Sequence, residues 1–323
     1  MNAVSYRDVP VVVLGAGGFI GRWVARLLSV EGARLVSVVR DAEQFEPVRE
    51  RWGIGGRVHA ADLSSPASVR RLCNELRPTV VFNLVGYGVD PHERDPALAW
   101  WLNSRLPAVL GEVLATSPPQ AQWAGRRLVH TGTALEYGTV PGDLAEDGPT
   151  SPTTLYGRSK LAGTLRLARV ARRHCLGAII ARLFTVFGAG EPAGRLLPSL
   201  AACAQSGTPI PLTEGHQRRD FLWVGDVASM LLRLGLEGGR CGEIVNLASG
   251  QLITVKAFTS LAAAALGIPP SHLLYGAIPT RPEEMAHAPV TVARLKSLIG
   301  PPPDDSIGRG LTETVTFLAH PTS

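Results

Sequence analysis

Tyr156 and Lys160 are the residues of this chain whose types and spacing most clearly suggest chemistry. Four positions apart on a helix, their side chains lie on the same face. A lysine ammonium beside a phenol stabilises the phenolate and lowers the pKa of the phenol, so that the tyrosine can exchange a proton with a carbonyl or carbinol oxygen. Thr133, in an upstream Thr-Gly-Thr sequence, is the candidate for a second hydrogen-bonding group on that oxygen. These three residues predict proton transfer at a keto or hydroxyl group.

A glycine-rich loop near the N-terminus predicts a phosphate-binding turn. The sequence Gly-Ala-Gly-Gly-Phe-Ile-Gly runs from Gly15 to Gly21 and follows a short valine-rich segment. Glycines let the chain turn tightly and approach a pyrophosphate, while the helix that follows offers unpaired N–H groups and the positive end of its dipole. The residues expected to contact a dinucleotide here are Gly15, Gly18, Phe19, Ile20 and Gly21.

These candidates fall on a chain in which strand and helix patterns alternate. Residues 9–14 are short, apolar and β-branched, as expected of a parallel strand that is buried on both faces. Further strands are predicted over residues 34–39, 58–61, 79–85, 127–131 and 178–183, and helices over residues 22–30, 68–76, 96–116 and 156–174. Such alternation predicts an α/β fold with a doubly wound parallel sheet, the Rossmann arrangement.

The composition of the sequence changes after Phe187, where prolines become frequent. We expect loops and short elements to dominate there. We predict a dinucleotide-binding Rossmann domain over residues 1–186 and a smaller α/β substrate-binding lobe over residues 187–323. Residues 222–248 are predicted to return to the first domain, because a strand-like start, a helix and a further apolar strand follow one another there.

Composition and charge exclude several classes of protein. The chain has 323 residues, of which 45% are hydrophobic, and a net charge of +5, which suits a globular protein with an anionic ligand. No run of lysine and arginine exceeds two residues, so we expect no nucleic-acid partner. The four cysteines form no CxxC pair, so we expect reduced thiols and no metal site. There is no signal-peptide pattern and no apolar run of the roughly 20 residues that a membrane span needs, so we expect a cytoplasmic protein without membrane attachment.

The glycine loop, the Tyr156–Lys160 pair and several other segments together resemble the extended short-chain dehydrogenase/reductase family, in particular its nucleotide-sugar epimerases, dehydratases and reductases. The resemblance covers nearly the whole chain and implies an NAD(P)-dependent oxidoreductase with a nucleotide-diphosphate sugar as substrate. It assigns catalysis to Thr133, Tyr156 and Lys160, and cofactor contacts to Tyr156, Lys160, Asp62, Leu63, Leu84, Val85, Gly86 and the structural asparagine Asn103. It assigns substrate binding to Thr133, Thr185, Arg195, Arg219 and Arg281. Thr185 departs from the family pattern, because asparagine is usual at that position.

The second strand ends in Val-Val-Arg40-Asp41, at the place where a dinucleotide-binding fold usually contacts the adenosine ribose. Arg40 beside the ribose would pair with a 2′-phosphate, because a guanidinium matches phosphate geometry. Asp41 beside the ribose would instead favour the 2′-hydroxyl of NAD. We expect NADP(H) in preference to NAD(H), with Arg40 as the phosphate ligand.

The residues after Thr133 narrow the reaction. The dehydratases that the chain resembles carry acidic residues there, whereas this chain has Ala134 and Leu135, with Glu136 displaced by one position. Family members that shuttle protons with a cysteine and a histidine are also disfavoured, because neither residue occurs at the matching positions. We predict an NADPH-dependent 4-ketoreductase acting on a nucleotide-linked 4-keto-6-deoxy sugar. The alternatives are an NAD-dependent nucleotide-sugar 4-epimerase and, more remotely, a non-catalytic NAD(P) sensor, although such sensors commonly lose the Tyr or Lys that this chain keeps.

The resemblance further implies a homodimer, in which the helices near residues 97–116 and 156–174 pair with their copies as a four-helix bundle. An apolar face for this contact is expected from Trp100, Trp101, Leu106 and Leu110.

Overall fold

A computed structural model describes residues 5–89, 92–119, 123–280 and 287–320. Its strands are β1 (Pro10–Leu14), β2 (Arg34–Val39), β3 (Arg57–Ala60), β4 (Val80–Asn83), β5 (Leu128–Thr133), β6 (Ala178–Leu183), β7 (Thr185–Phe187), β8 (Ile210–Leu212), β9 (Arg218–Arg219), β10 (Phe221–Trp223), β11 (Glu243–Leu247), β12 (Ile253–Thr254) and β13 (Leu273–Tyr275). Its α-helices are α1 (Phe19–Val30), α2 (Ala42–Arg51), α3 (Pro66–Leu76), α4 (Pro96–Trp100), α5 (Leu106–Thr116), α6 (Leu155–Arg173), α7 (Leu196–Ser206), α8 (Val224–Leu236), α9 (Val255–Ala265), α10 (Ala293–Ile299) and α11 (Ser306–Ala319). A π-helical turn spans Trp101–Arg105, and 3₁₀ turns span Ala134–Glu136 and Pro270–His272.

Seven strands form one parallel sheet in the order β3-β2-β1-β4-β5-β6-β11. The order reverses at β1, which pairs with β2 on one side and with β4 on the other. This doubly wound sheet confirms the predicted fold class. In such sheets ligands bind in the crevice outside the carboxyl ends of the strands at this reversal, and the loops after β1 and β4 border it.

The central strands are apolar throughout because their side chains alternate between two cores. On β1, Val11 and Val13 pack into a cluster that includes α1 and α8, whereas Val12 and Leu14 pack into one that includes α3, α5 and α6. All four side chains are buried, and each contributes about 1.5–3 kcal/mol relative to an exposed position. The sheet is therefore a rigid platform for the loops at its carboxyl edge.

The first two helices differ from what the sequence predicted. α1 begins at Phe19 rather than at residue 22, because Gly18 is its N-cap and the end of the glycine loop already forms its first turn. α2 was not predicted at all. Phe45 is its one buried residue, so no helical period of apolar residues marks it, and its clearest signal is Asp41, whose side chain caps Gln44 N–H.

The predicted helix over residues 96–116 is interrupted. α4 and α5 are separated by the π-helical turn, and Pro107, which has no N–H to bond to the preceding turn, lies directly after it in the first turn of α5. The π turn carries Asn103, which is fully buried. Such irregular turns frequently occur at functional sites.

The part of the chain after Phe187 contains three longer helices, α7, α9 and α11, that were not predicted, besides the predicted helix α8. α7, α8, α9 and α11 are 11, 13, 11 and 14 residues long. The prolines lie mainly in connections or, like Pro198, in a first helical turn, so they separate helices rather than prevent them. β11 pairs with β6, and a separate apolar cluster forms around Phe187, Phe221 and Phe258.

Within the described parts of the chain, none of the helices combines the length and the apolar character needed to span a membrane.

Candidate active site

The helix α6 places Tyr156 and Lys160 at the carboxyl edge of the sheet. Its N-cap is Thr154, whose hydroxyl accepts the Gly157 N–H at 3.0 Å. The Lys160 side chain is only 2% exposed, and Nζ donates to the Thr131 carbonyl at 2.8 Å. A Cβ built on Gly86 would lie 3.9 Å from both the Tyr156 hydroxyl oxygen and Lys160 Nζ. The predicted pair therefore faces one common space beside the segment after β4.

Thr133 ends β5 and is held by the turn that follows it. Its N–H donates to Glu136 Oε1 at 2.9 Å, and its Oγ1 accepts the Leu135 N–H at 3.3 Å. The hydroxyl hydrogen is then left to donate to another group. A Cβ on Gly157 would lie 2.4 Å from the Leu135 carbonyl oxygen, so the first turn of α6 packs directly against the turn that holds Thr133.

The charge balance at Tyr156 differs from the prediction that a nearby lysine lowers the pKa of the phenol. Burial, with the Glu136 carboxylate second, raises the pKa of Tyr156 above its ordinary value. Burial also lowers the pKa of the Lys160 ammonium to about 8, against the opposing effect of Glu136. At neutral pH Tyr156 is therefore a protonated phenol and Lys160 is mainly charged.

Two charges outside the predicted catalytic set act on the same phenol. The Arg195 guanidinium lowers the pKa of Tyr156, so the charge of Arg195, which was predicted to bind substrate, also acts on this phenol. Glu93 raises that pKa, and its carboxylate accepts the Gly88 N–H at 2.6 Å. Sequence reasoning missed Glu93, because it lies in an irregular loop with no motif.

The glycine loop forms a cradle of backbone that fits a pyrophosphate. Gly15 has a φ of 80°, and a Cβ there would lie 3.3 Å from the backbone of Leu84 and Val85. A Cβ on Gly21 would lie 2.0 Å from the Gly15 carbonyl oxygen. Gly18, the N-cap of α1, provides no side-chain cap, so the first N–H groups of the helix point out of the loop without a side-chain partner. Phe19 and Ile20 supply the first of these groups and pack their side chains against the core.

The ends of β2 and β3 carry the residues predicted to lie near the adenosine. Arg40 is exposed, whereas the Asp41 carboxylate is used as a helix cap and accepts Gln44 N–H at 3.1 Å. The Asp62 carboxylate accepts Ser64 N–H at 2.9 Å, and the Leu63 carbonyl accepts Trp101 Nε1–H at 2.5 Å.

Asn103 positions the backbone strip that runs past Leu84, Val85 and Gly86. Its Oδ1 accepts Tyr87 N–H at 3.0 Å, and its Nδ2 donates to the Tyr87 carbonyl at 2.7 Å and to Ser159 Oγ at 2.9 Å. Asn103 thus ties this strip to α6 next to Lys160.

Besides Thr133, the described residues that were predicted to bind substrate lie on separate elements after β6. Thr185 begins β7, and its N–H donates to the Asp220 carbonyl at 3.0 Å. Arg219 lies on β9, half-buried, and its charge together with burial lowers the pKa of His287 to about 3. Arg281 lies outside the described residues.

Comparisons with known proteins agree on one family. Residues 11–248 match the model of the NAD dependent epimerase/dehydratase family. A dTDP-6-deoxy-L-talose 4-dehydrogenase (NAD(P)(+)) of Kitasatospora kifunensis is 32% identical over 281 residues, which cover 83% of each chain. A probable dTDP-4,6-dihydroxy-2-methyloxan-3-one 4-ketoreductase of Streptomyces antibioticus is 30% identical over 233 residues, or 71% of this chain and 68% of that protein.

The fold is also similar to that of solved structures. The UDP-N-acetylglucosamine 4-epimerase of Methanobrevibacter ruminantium M1, in complex with UDP-N-acetylmuramic acid, superimposes with a TM-score of 0.84. It is 20% identical in sequence, and the match covers 98% of this chain and 100% of that one. At this identity the likeness shows a shared fold.

Proposed function

Because the chain belongs to the NAD dependent epimerase/dehydratase family, and is therefore an NAD(P)-dependent enzyme, we propose that it reduces a nucleotide-linked 4-keto-6-deoxy sugar to the 4-hydroxy sugar. The main support comes from the side chains that follow Thr133. Ala134 and Leu135 carry no ionisable group, and Glu136 is fully buried. Elimination of water from a sugar needs an acid and a base at the reacting carbons, and these positions offer neither.

The relatives support chemistry at one carbon of the sugar. The names of the two relatives from Kitasatospora and Streptomyces describe oxidation or reduction at position 4 of a dTDP-linked sugar. A reduction there needs a hydride donor, one proton donor and a means of holding the sugar. The predicted site has residues for each of the last two tasks.

In the proposed reduction, Thr133 and Tyr156 donate hydrogen bonds to the sugar carbonyl oxygen. Tyr156 passes its proton to that oxygen as the alcohol forms, and the Lys160 ammonium stabilises the phenolate that remains. The bound nicotinamide supplies the hydride. Arg219 and Arg281, in the proposed substrate-binding lobe after residue 186, hold the diphosphate, so that remote binding energy positions the sugar.

We further propose that the cofactor is NADPH, held by the glycine loop and by Arg40. The support is that Asp41, the rival for the ribose, already uses its carboxylate to cap α2, while Arg40 is exposed at the end of β2. Fluorescence titration of the wild type and of Arg40→Leu with NADPH and NADH tests this. A selective loss of NADPH affinity in the variant supports it, and equal affinities for both cofactors in the wild type overturn it.

We also propose a homodimer formed through the face of α4 and α6. Leu106 and Leu110, predicted to lie at this contact, are instead fully buried within their own chain, and Trp101 is held by the Leu63 carbonyl. The exposed apolar residues on this face are Trp100, 39% exposed, and Leu165, 55% exposed.

The reaction is tested by mixing the purified protein with NADPH and a dTDP-linked 4-keto-6-deoxyhexose and following absorbance of the reduced nicotinamide. Stoichiometric NADPH oxidation with formation of the 4-hydroxy sugar is the expected result. Tightly bound NAD that co-purifies, with interconversion of 4-hydroxy epimers and no net oxidation, would make the protein an epimerase. Cofactor binding without turnover of any keto or hydroxy sugar nucleotide would make it a sensor.

A further inference from the structure

We propose that Glu136 is the positioning residue of the catalytic set, because its buried carboxylate joins the strand end that carries Thr133 to the helix that carries Tyr156 and Lys160. From this position its charge is expected to stabilise the Lys160 ammonium. The expected effect of Glu136 on turnover rests on the proposed function. The electrostatic effect concerns Lys160 alone and can be measured without substrate.

The carboxylate of Glu136 connects two elements of the site. Its Oε1 accepts the Thr133 N–H at 2.9 Å and the Thr164 hydroxyl at 3.1 Å. Thr164 lies one turn after Lys160 on α6 and is fully buried, as is Glu136 itself. A single oxygen atom therefore fixes the position of the threonine relative to the tyrosine and lysine.

Arg182 pairs with the buried carboxylate. Arg182 Nε donates to Glu136 Oε2 at 2.9 Å, and the guanidinium lies over the Tyr137 ring, 4.5 Å from its centroid. Arg182 Nη1 also donates to the Glu146 carbonyl at 3.3 Å. Since a buried carboxylate is stable only when it is paired and hydrogen-bonded, these contacts allow a full negative charge beneath the site.

The sequence is adapted to this arrangement at Gly132. A Cβ there would lie 2.4 Å from Glu136 Oε1 and 3.3 Å from Arg182 Cγ. Any larger residue would push the carboxylate out of reach of Thr133 and Thr164. The glycine of the Thr-Gly-Thr sequence thus makes room for the ion pair.

The geometry also separates Glu136 from proton transfer at the substrate. Both of its oxygens are occupied by donors from the protein, and the side chain lies beneath the backbone of Thr133 rather than in the space that Tyr156 faces. Glu136 therefore acts through Thr133 and Lys160, without touching the reacting atoms.

Lys160 needs a counter-charge because its ammonium is buried and donates to neutral carbonyls, those of Thr131 and Val85. The Glu136 carboxylate raises the pKa of Lys160 against the larger effect of burial. The neighbouring His130 stays neutral, because burial and the Lys160 charge hold its pKa well below the ordinary value.

The same carboxylate raises the pKa of Tyr156, on which Arg195 and Glu93 also act with opposite signs. Removal of the Glu136 charge is therefore expected to lower both pKa values. The ammonium and the phenol would then lose their protons at lower pH than in the wild type.

The test uses the fact that the chain has three lysines, Lys160, Lys256 and Lys296. Protein labelled with ¹³C at the lysine ε-carbon gives three resonances, and the Lys256→Arg and Lys296→Arg variants assign them. In Glu136→Gln, which keeps an oxygen acceptor for Thr133 but removes the charge, we expect the pKa of Lys160 to fall by about one unit. The alkaline limb of the pH profile of kcat/KM should move toward lower pH with it.

The matched control is Asp226→Asn. Asp226 is a buried carboxylate on α8, away from the helix that carries Lys160, and it is paired with Arg309 at 2.7 Å. This variant should leave the Lys160 titration unchanged. If Glu136→Gln does not fold, Glu136→Gln combined with Arg182→Met removes both charges, a replacement that buried ion pairs commonly tolerate. The pKa of Lys160 is then expected to fall by less than in the single variant, because loss of the Arg182 cation acts in the opposite direction, and Arg182→Met alone measures that opposing effect.

An unchanged Lys160 pKa in a folded variant lacking the Glu136 charge would overturn the proposal and leave Glu136 a purely structural residue. If the Lys160 pKa falls as expected but the protein reduces no keto sugar nucleotide, then the proposed function fails while the role of Glu136 stands.

Discussion

At the scale of single residues, burial has the largest effect on the charge states of Tyr156 and Lys160, the proposed catalytic pair. It raises the pKa of Tyr156 and lowers that of Lys160 to about 8, so that at neutral pH the phenol keeps its proton and the ammonium predominates. A protonated phenol beside a cation suits a reductase, because each turnover must deliver a proton to the carbonyl oxygen and leave a phenolate that needs stabilising.

Replacing Tyr156 by Phe tests the assigned proton donor. We expect kcat for NADPH-dependent reduction to fall by about 10²- to 10⁴-fold, because the phenol proton is lost while the ring still fills its place. NADPH affinity, measured by fluorescence titration, should change little. Tyr275→Phe is the control: Tyr275 lies on β13, outside the parallel sheet, and this variant should keep its turnover. Near-normal turnover in Tyr156→Phe would remove Tyr156 from the mechanism.

The sequence alone was enough to predict that Tyr156 and Lys160 face a common space, because a short spacing on one helix encodes their proximity. The roles of these residues and of Thr133 in catalysis stay predictions. The sequence could not show where Glu136 points. That orientation depends on the absence of a side chain at Gly132 and on Thr164 approaching from α6, contacts between elements that are separate in sequence.

At the scale of elements, the junction of β1 and α1 depends on backbone contact at particular glycines. Gly21→Ala would place a methyl group 2.0 Å from the Gly15 carbonyl oxygen, although alanine is otherwise favoured in a helix by about 1 kcal/mol. We expect this variant to lose about 2 kcal/mol in the free energy of unfolding and at least tenfold in NADPH affinity. Urea denaturation and fluorescence titration measure the two effects.

The matched variant is Gly17→Ala in the same loop. A Cβ on Gly17 would meet Phe45 at 3.5 Å and Val39 at 3.7 Å, which are ordinary packing distances. Stability and NADPH affinity should therefore stay close to the wild type. Equal effects of the two substitutions would contradict a specific role for the Gly15–Gly21 contact.

The elements that sequence reasoning identified are those with strong periodicity or a strong run of apolar residues. Six of the seven strands of the sheet have this character, whereas β3, also predicted, is only half-buried. α2 was not predicted, because one buried phenylalanine gives no helical period of apolar residues. The π turn at Asn103 was not predicted either, because a shift in the hydrogen-bonding pattern leaves the composition of the helix unchanged.

At the scale of the whole molecule, the proposed dimer makes a specific prediction. Leu165→Glu should convert a dimer of 34.3 kDa chains into a monomer, because it buries a charge at the proposed contact. Leu261 on α9 provides the control, because its side chain is 51% exposed and that of Leu165 is 55% exposed. The Leu261→Glu variant should remain dimeric. Size-exclusion chromatography with light scattering distinguishes these outcomes. A monomeric wild type, or dissociation by both variants alike, would contradict the proposed face.

The arrangement of the C-terminal part was least predictable at this scale. Its small sheets pair strands of two or three residues, β7 with β10, β9 with β12 and β8 with β13, which are too short to show a period. Their pairing depends on helices that pack around Phe187, Phe221 and Phe258. Thr185 and Arg219, which we propose to contact the substrate, lie on such segments, so the substrate is harder to predict from sequence than the fold.

The most direct test of the proposed reduction is to supply NADPH carrying deuterium at the transferable position of the nicotinamide, together with a dTDP-linked 4-keto-6-deoxyhexose. The product is then analysed by mass spectrometry and NMR. We predict one deuterium per product molecule, at carbon 4, with one equivalent of NADP⁺ released. A 4-hydroxy product without deuterium, or sugar interconversion without net release of NADP⁺, would contradict a reductase and point to transient oxidation by a retained cofactor.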